Sequence, residues 1–302
     1  MTEQLGPQGF RILGASIIGR QGGKFEKHFK LSPRLCAKVF PMIKKRIPDL
    51  RPKCLLWCLK LMNACGKTEA MADFCGVHRV TFGPRAWQVM EAIAAELPNV
   101  ASCWLFPCSS LLLDLSHLLA SPQIKLNNRF RNMKQGNVCL MAIDTTDCRV
   151  NEQTPFWSGW KSKNFKGAGL KCEIGVAIQS NDICWVHGPF PAGAWHDKTV
   201  FRHRLKQLLL PNEAVETDKG HVGEPSCRTP CDHLTLHEKQ VKGEARSRME
   251  TLNRLFKSWG ILKQHFRHTI GKHQTAFKAV AVLTQLALQE GELHLFDVDC
   301  DI

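Results

Sequence analysis

The spacing of hydrophobic positions changes partway along the chain, from helical to strand-like. From Ser32 to about Pro98 apolar residues recur on helical faces: Leu35, Val39 and Ile43, then Leu55, Leu56, Leu59 and Met62, then Ile93, Ala94 and Leu97. Ser32 is placed to cap the first helix, and Pro41, Pro48 and Pro52 divide the stretch into several short ones. Within it, "KTEAMADFCGVHRVTFGPRAWQVMEAI" predicts a helix over about 68–74, a turn at Gly76 and a second helix from near His78. In that arrangement Ala72, Val77 and Val80 lock the pair, while His78, Arg79, Thr81 and Arg85 face outward. The spacing is that of a helix-turn-helix with Gly83-Pro84 interrupting its second helix; a plain helical hairpin explains it equally well. Residues 1–30, Gly-rich, basic and weakly periodic, read as a flexible basic arm.

Residues 99–137 read as a linker or insertion, with Pro107, Pro122 and the basic stretch "NNRFRNMKQGN". From residue 138 the pattern becomes that of buried strands. "NVCLMAID" is an apolar run ending on Asp144, and "LKCEIGVAIQS" and "ICWVHGPF" follow it, joined through Asn181-Asp182 as a hairpin. "HDKTVFRHRLKQLLL" is helical, "EAVETD" is a short strand ending on Asp218, and "GEARSRMETLNRLFKSWGIL" is a helix with Met249, Leu252, Leu255 and Phe256 inward. A last apolar helix runs from about His273 to Gln289, before an acidic tail, "DVDCDI". The fold class is therefore α/β: a mixed sheet flanked by helices over 138–302, preceded by an all-α region over 31–98.

Composition narrows the partner. A hydrophobic fraction of 44% in 302 residues indicates a folded protein. The net charge of +14 favours a polyanion. The surplus is concentrated: residues 1–60 hold 13 Lys or Arg against 3 Asp or Glu, and 242–278 hold 9 against 2. DNA is the expected partner. The 14 cysteines are scattered and no secretory signal is visible, so a reducing, intracellular setting is expected. No apolar run is long enough to span a bilayer; the closest, Leu111 to Ala120, contains Asp114 and His117, so no membrane association is expected.

The candidate chemistry lies in three carboxylates. Asp144 ends the first strand, Asp218 ends the fourth, and Glu250 lies on the helix that follows. Neighbouring strands can bring the aspartates together with the helical glutamate leaning over them. Such a cluster is self-repelling unless cations neutralise it, and hard oxygen ligands suit Mg²⁺ or Mn²⁺. Two such ions can clamp the attacking and leaving oxygens of a phosphodiester.

At this point the sequence resembles a family. "AIDTTDC", "GLKCEIGVAI", "WVHGPFPAGAWHDKTVFR", "ETDKGHVGE" and "ARSRMETLNRLFKSWGIL", in this order, resemble the DDE superfamily of transposase endonucleases, with the PIF/Harbinger-like and IS5-like branch nearest. The resemblance implies an RNase H-like fold, cleavage and joining of DNA with two divalent ions, and Asp144, Asp218 and Glu250 as catalytic and metal-binding residues. It also implies nuclear location in a eukaryote, a separate DNA-binding partner protein, and a homo-oligomer. The family carries a tyrosine where His221 stands and tends to an aromatic where Cys172 stands; the chain contains no tyrosine. The alternative is a transposase-derived DNA-binding protein without nuclease activity.

Other polar residues have blander explanations. Asp147 reads as a turn cap or a solvent-facing residue, and Asp197 as a helix cap, with substrate positioning by His196 and Asp197 the alternative. Cys227, Cys231, His233 and His237 could bind zinc, although the pairs lack a separating loop. Cys54, Cys58 and Cys65 fall at core spacing. Arg79, Arg85, Lys161, Lys163, Arg246, Arg248, Arg254 and Lys257 are the candidate DNA contacts, and Lys263 belongs with the basic set around Glu250. Trp157 and Trp160 either stack on unpaired bases or pack beneath their loop.

Overall fold

The computed structural model describes residues 5–19, 22–97, 126, 129, 139–155, 157–230 and 236–295. Most of the expected insertion over 99–137 and the acidic tail lie outside them. The described residues form two compact units: one runs through residue 97 and includes 259–261 and 275–290, the other holds 126–258 and 262–274. Residues 275–290, expected within the sheet domain, thus group with the helical unit.

The helical unit begins with α1 (Pro7–Ile18) and α2 (Phe25–Phe29), where a flexible arm was expected. Phe10, Gly14 and Ile18 share one face of α1 and are buried with Phe25 and Phe29. Gly14 makes this packing geometrically feasible, because a Cβ there would lie 2.3 Å from the Phe25 ring. Four further helices follow: α3 (Pro33–Lys44), α4 (Pro52–Ala64), α5 (Thr68–Phe74) and α6 (Arg79–Ala94). Ser32 caps α3 by accepting from the Leu35 amide at 3.1 Å, and Pro41 lies inside α3 rather than ending it.

Helices α5 and α6 meet through a turn at Gly76, whose φ of 64° is the left-handed region that glycine adopts cheaply. Ala72 is buried as expected, but Val80 is 67% exposed, and the buried Phe82 instead meets Trp57 of α4. Gly83-Pro84 does not interrupt α6. Pro84 removes one ladder bond, to the carbonyl of the exposed Val80, near the start of the helix.

The second unit is built on a five-stranded mixed sheet, in the order β3-β2-β1-β4-β5. Its strands are β1 (Cys139–Arg149), β2 (Gly169–Ala177), β3 (Ile183–Pro191), β4 (Ala214–Glu216) and β5 (Cys227–Arg228). The β2–β3 hairpin turns through Asn181 at a φ of 58°, as the Asn-Asp pair predicted. Every residue of β2 is buried, the charged Lys171 and Glu173 included. Strand β1 runs antiparallel to β2 over Met141–Arg149 but parallel to β4 only over Cys139–Ala142. It therefore does not stop at Asp144, as expected, but continues five residues beyond it.

Helix α7 (Asp197–His203) passes into a 3₁₀ turn at Leu205–Leu208. Helix α8 (Leu236–Lys257) buries Ala245, Met249, Leu252 and Phe256 at helical spacing and packs against β1, β2 and β4. The short α9 (Gly260–Lys263) and α10 (His273–Gln289) complete the described chain. This mixed sheet flanked by helices, with an all-helical amino-terminal region, is consistent with the RNase H-like α/β fold. No helix among the described residues is long and apolar enough to cross a membrane.

Candidate active site

Strand register brings two aspartates together. In the parallel β1–β4 pair Ala142 lies opposite Glu216, and two residues further along each chain stand Asp144 and Asp218. Both line a cavity of about 310 Å³ that also contains Glu216, Lys242, Arg246 and Glu250. Both also line a second cavity, of about 320 Å³, that contains Lys163, Asn164, Trp195, His196 and Asp197.

The environments of the two carboxylates differ. Asp144 accepts from the Thr145 amide at 2.7 Å through Oδ1 and from Asn253 Nδ2 at 2.7 Å through Oδ2. Burial, reinforced by the nearby charges of Asp218 and Asp197, pushes its pKa up to about 6. Asp218 is the more exposed and its pKa is lowered, chiefly by the hydrogen bond from His221. His221 Nδ1 lies 3.2 Å from Oδ1, and the Gly220 amide donates to the same oxygen at 2.9 Å. The His221 ring is fully buried edge-on against Phe201, its Nε2 without a hydrogen-bond partner among the described residues. Where the resemblance implies a tyrosine, this histidine thus holds Asp218 by its ring nitrogen.

Glu250 faces the first cavity but lies apart from the aspartates. Its Oε1 accepts from Arg246 Nε at 2.8 Å, one helical turn away, with both side chains well exposed. Among the described residues no group of three or more His, Cys, Asp or Glu stands close enough to hold a metal ion. For the zinc expectation, Cys231 and His233 lie outside the described residues.

Two carboxylates depart from the sequence reading. Asp147 neither caps a turn nor faces water: it is buried, 3.0 Å from Lys171 Nζ, and accepts from Ser162 Oγ and Asn164 Nδ2. Asp197 does not cap α7, since His196 occupies the N-cap position. Its Oδ1 instead accepts from Thr145 Oγ1 at 2.6 Å and Lys171 Nζ at 2.8 Å. Asn253, Thr145 and Lys171 were missed as supporting residues. Only Asn253 carried a signal, standing three residues after Glu250 on the same helix.

The candidate DNA contacts divide into three groups: anchored to backbone, paired with carboxylates, and exposed. Arg248 donates to the Ile178 carbonyl, and Lys257 to the Asp147 carbonyl and Cys148 Sγ, so both are anchors within the fold. Arg79 pairs with Glu69 at 2.9 Å, and Arg85 with Asp49 and, at 2.6 Å, with Gln88. Arg246 is committed to Glu250. Lys161, Lys163 and Arg254 are exposed. Trp157, 51% exposed, meets Trp160 edge-on at 6.4 Å.

Residues 139–285 match the family model described as DDE superfamily endonuclease. Over these residues the chain is similar to the DDE superfamily endonucleases. No curated protein and no solved structure matches the chain. The matched residues run from the start of β1 into α10, so they contain all three candidate carboxylates. The carboxylate oxygens of Asp144 and Asp218 are the hard donors that divalent cations prefer, and like charges beside the half-buried Asp144 leave negative charge to be neutralised.

Proposed function

We propose that this chain cuts and joins DNA phosphodiester bonds as a transposase, with Asp144, Asp218 and Glu250 holding two divalent cations, Mg²⁺ or Mn²⁺. The observation that carries the reading is the shared register of β1 and β4, which sets Asp144 beside Asp218 at a cavity that Glu250 also lines. Bound divalent cations would activate a water, then a freed 3′-hydroxyl, and neutralise charge on the scissile phosphate. Asp144 is positioned for this by Thr145 and Asn253, and Asp218 by Gly220 and His221. Glu250 joins them by releasing Arg246, whose guanidinium is then available to a phosphate oxygen. Lys163 lines the cavity of the two aspartates, and the exposed Lys161 and Arg254 extend the basic surface for the DNA backbone. The exposed amino-terminal half of α6 would supply duplex contacts, and nuclear location, a DNA-binding partner protein and a homo-oligomer belong to the same reading.

The ion pair that holds Glu250 favours a second reading, a DNA-binding protein of transposase descent without nuclease activity. Nicking of supercoiled plasmid separates the two. The purified chain is expected to nick with Mn²⁺ and to stop when the metal is chelated. Glu250→Gln is expected to slow nicking about a hundredfold, roughly 2.7 kcal/mol of barrier. Plasmid binding without cleavage would establish the second reading instead.

A further inference from the structure

One wall of the first cavity is α8, which brings Lys239, Lys242, Gly243, Arg246 and Glu250 to the space that Asp144 and Asp218 also line. We propose that Lys239, Lys242 and Gly243 seat the DNA strand beside the cut. The two ammonium groups would meet a backbone phosphate, and the strand would pass closest to the helix at Gly243. The proposal rests on reading this cavity as the place where DNA is cut. It adds contacts on the amino-terminal side of Arg246 along α8.

Helical spacing puts three cations in one row. Lys242 follows Lys239 by three residues and Arg246 follows Lys242 by four, so all three lie on one face of α8. From Lys239 to Arg246 the helix rises about 10 Å, roughly three phosphate steps along one DNA strand. Lys242 is held by Glu216 at 2.7 Å, a bond that uses one of its donors and tethers α8 to β4. Lys239 is exposed and pairs with no carboxylate among the described residues. Arg246 binds Glu250 through Nε, and its charge also helps to lower the pKa of Asp218. The row thus leads from open surface to the aspartates.

Gly243 supplies an independent observation. It stands inside the 22-residue helix α8, where glycine is the least favourable residue after proline. Packing does not require it, because a Cβ at this position would meet nothing within 4 Å among the described residues. Its backbone is helical, so no left-handed turn calls for glycine either. The residue leaves the helix backbone bare at the cavity wall, between the two lysines and Arg246. Close approach of another chain's backbone is the remaining use for a missing side chain. A solvated basic face accounts for the lysines but not for the glycine.

Binding of a short labelled DNA duplex to the full chain, followed by fluorescence anisotropy over a series of NaCl concentrations, tests the seat. Lys239→Ala is expected to make the slope of log affinity against log salt shallower by about 1, the loss of one phosphate contact. Gly243→Leu is expected to weaken binding about tenfold, because its side chain would stand in the path of the strand. The melting temperature of that variant should stay level or rise, since leucine favours the helix more than glycine does. Lys242 is left intact in both, because removing it would strand Glu216. An unchanged salt slope in Lys239→Ala, or unchanged affinity in a folded Gly243→Leu, would overturn the proposal. Should Gly243→Leu fail to fold, Gly243→Ala carries the same expectation with a smaller loss. Failure of the unmodified chain to bind DNA would remove the DNA reading itself, whereas binding that these variants do not alter would remove only this seat.

Discussion

Asp144→Asn is expected to abolish nicking, by a thousandfold or more (about 4 kcal/mol of barrier), while making the metal-free protein melt at a higher temperature. The two effects have one origin. Asp144 lines both cavities, so every proposed cation site loses a charged ligand when it becomes an amide. In the absence of metal the same charge is a burden, because burial and the neighbouring aspartates raise its pKa from 3.8 to about 6. That difference corresponds to at most about 3 kcal/mol, and to less after allowance for partial solvent contact. The sign follows from proton binding. Between pH 4 and pH 6 the folded chain holds this proton more tightly than the unfolded chain, so stability falls as pH rises through that window. Below the window both states are protonated and the variant gains nothing; above it the gain is complete. Thermal melts at pH 4 and pH 8 therefore provide the check, with the variant's advantage appearing only at pH 8. Asn253 can accommodate the amide by turning its own carbonyl, since its Oδ1 is buried without a partner among the described residues. Equal melting temperatures at both pH values would mean that Asp144 carries no such burden.

Glu213→Ala is expected to cost about 3–5 kcal/mol, lowering the melting temperature by roughly 10 °C. Glu213 accepts from Arg129 Nε at 2.6 Å and Nη2 at 3.1 Å, and both side chains are almost wholly buried. Removing Glu213 takes away the carboxylate that meets this guanidinium in the interior, and the bonds to the Leu126 and Leu208 carbonyls are to neutral acceptors. Glu213 also accepts from the Leu210 amide at 2.8 Å and directly precedes β4, so the loss falls where the chain enters the strand that leads to Asp218. A melting temperature within about 2 °C of the parent would show that the pair is dispensable. Glu213→Gln, which keeps an acceptor, should lose less.

The sheet was legible because strand and helix periods differ, and because apolar runs leading to Asp144 and Asp218 mark strands that deliver polar groups. The end of β1 was misread: an aspartate looked like a stop, yet Thr145 and Thr146 are β-branched and continue the strand. Helix α1 carried its signal in Phe10, Gly14 and Ile18, hidden by glycines that suggested a flexible arm. Strand β5 has two residues, too few for any period to register. The bond from Lys171 to Asp197 joins β2 to the start of α7, and no local spacing announces such a contact. The inward turn of Arg248 and Lys257 was equally invisible, because composition reports charge and not which donor meets a backbone carbonyl.

The β1–β4 register has a consequence for how this chain can vary in length. The aspartates are aligned by backbone pairing, two residues beyond Ala142 and Glu216, and not by the segments between the strands. Those segments, including the loop with Trp157 and Trp160, can gain or lose residues without moving either carboxylate. One residue inserted between Ala142 and Asp144 would turn Asp144 to the opposite face of the sheet. Tolerance to insertion should therefore drop sharply at the strand boundaries, giving a length map of the chain in which the site appears as two short intolerant windows.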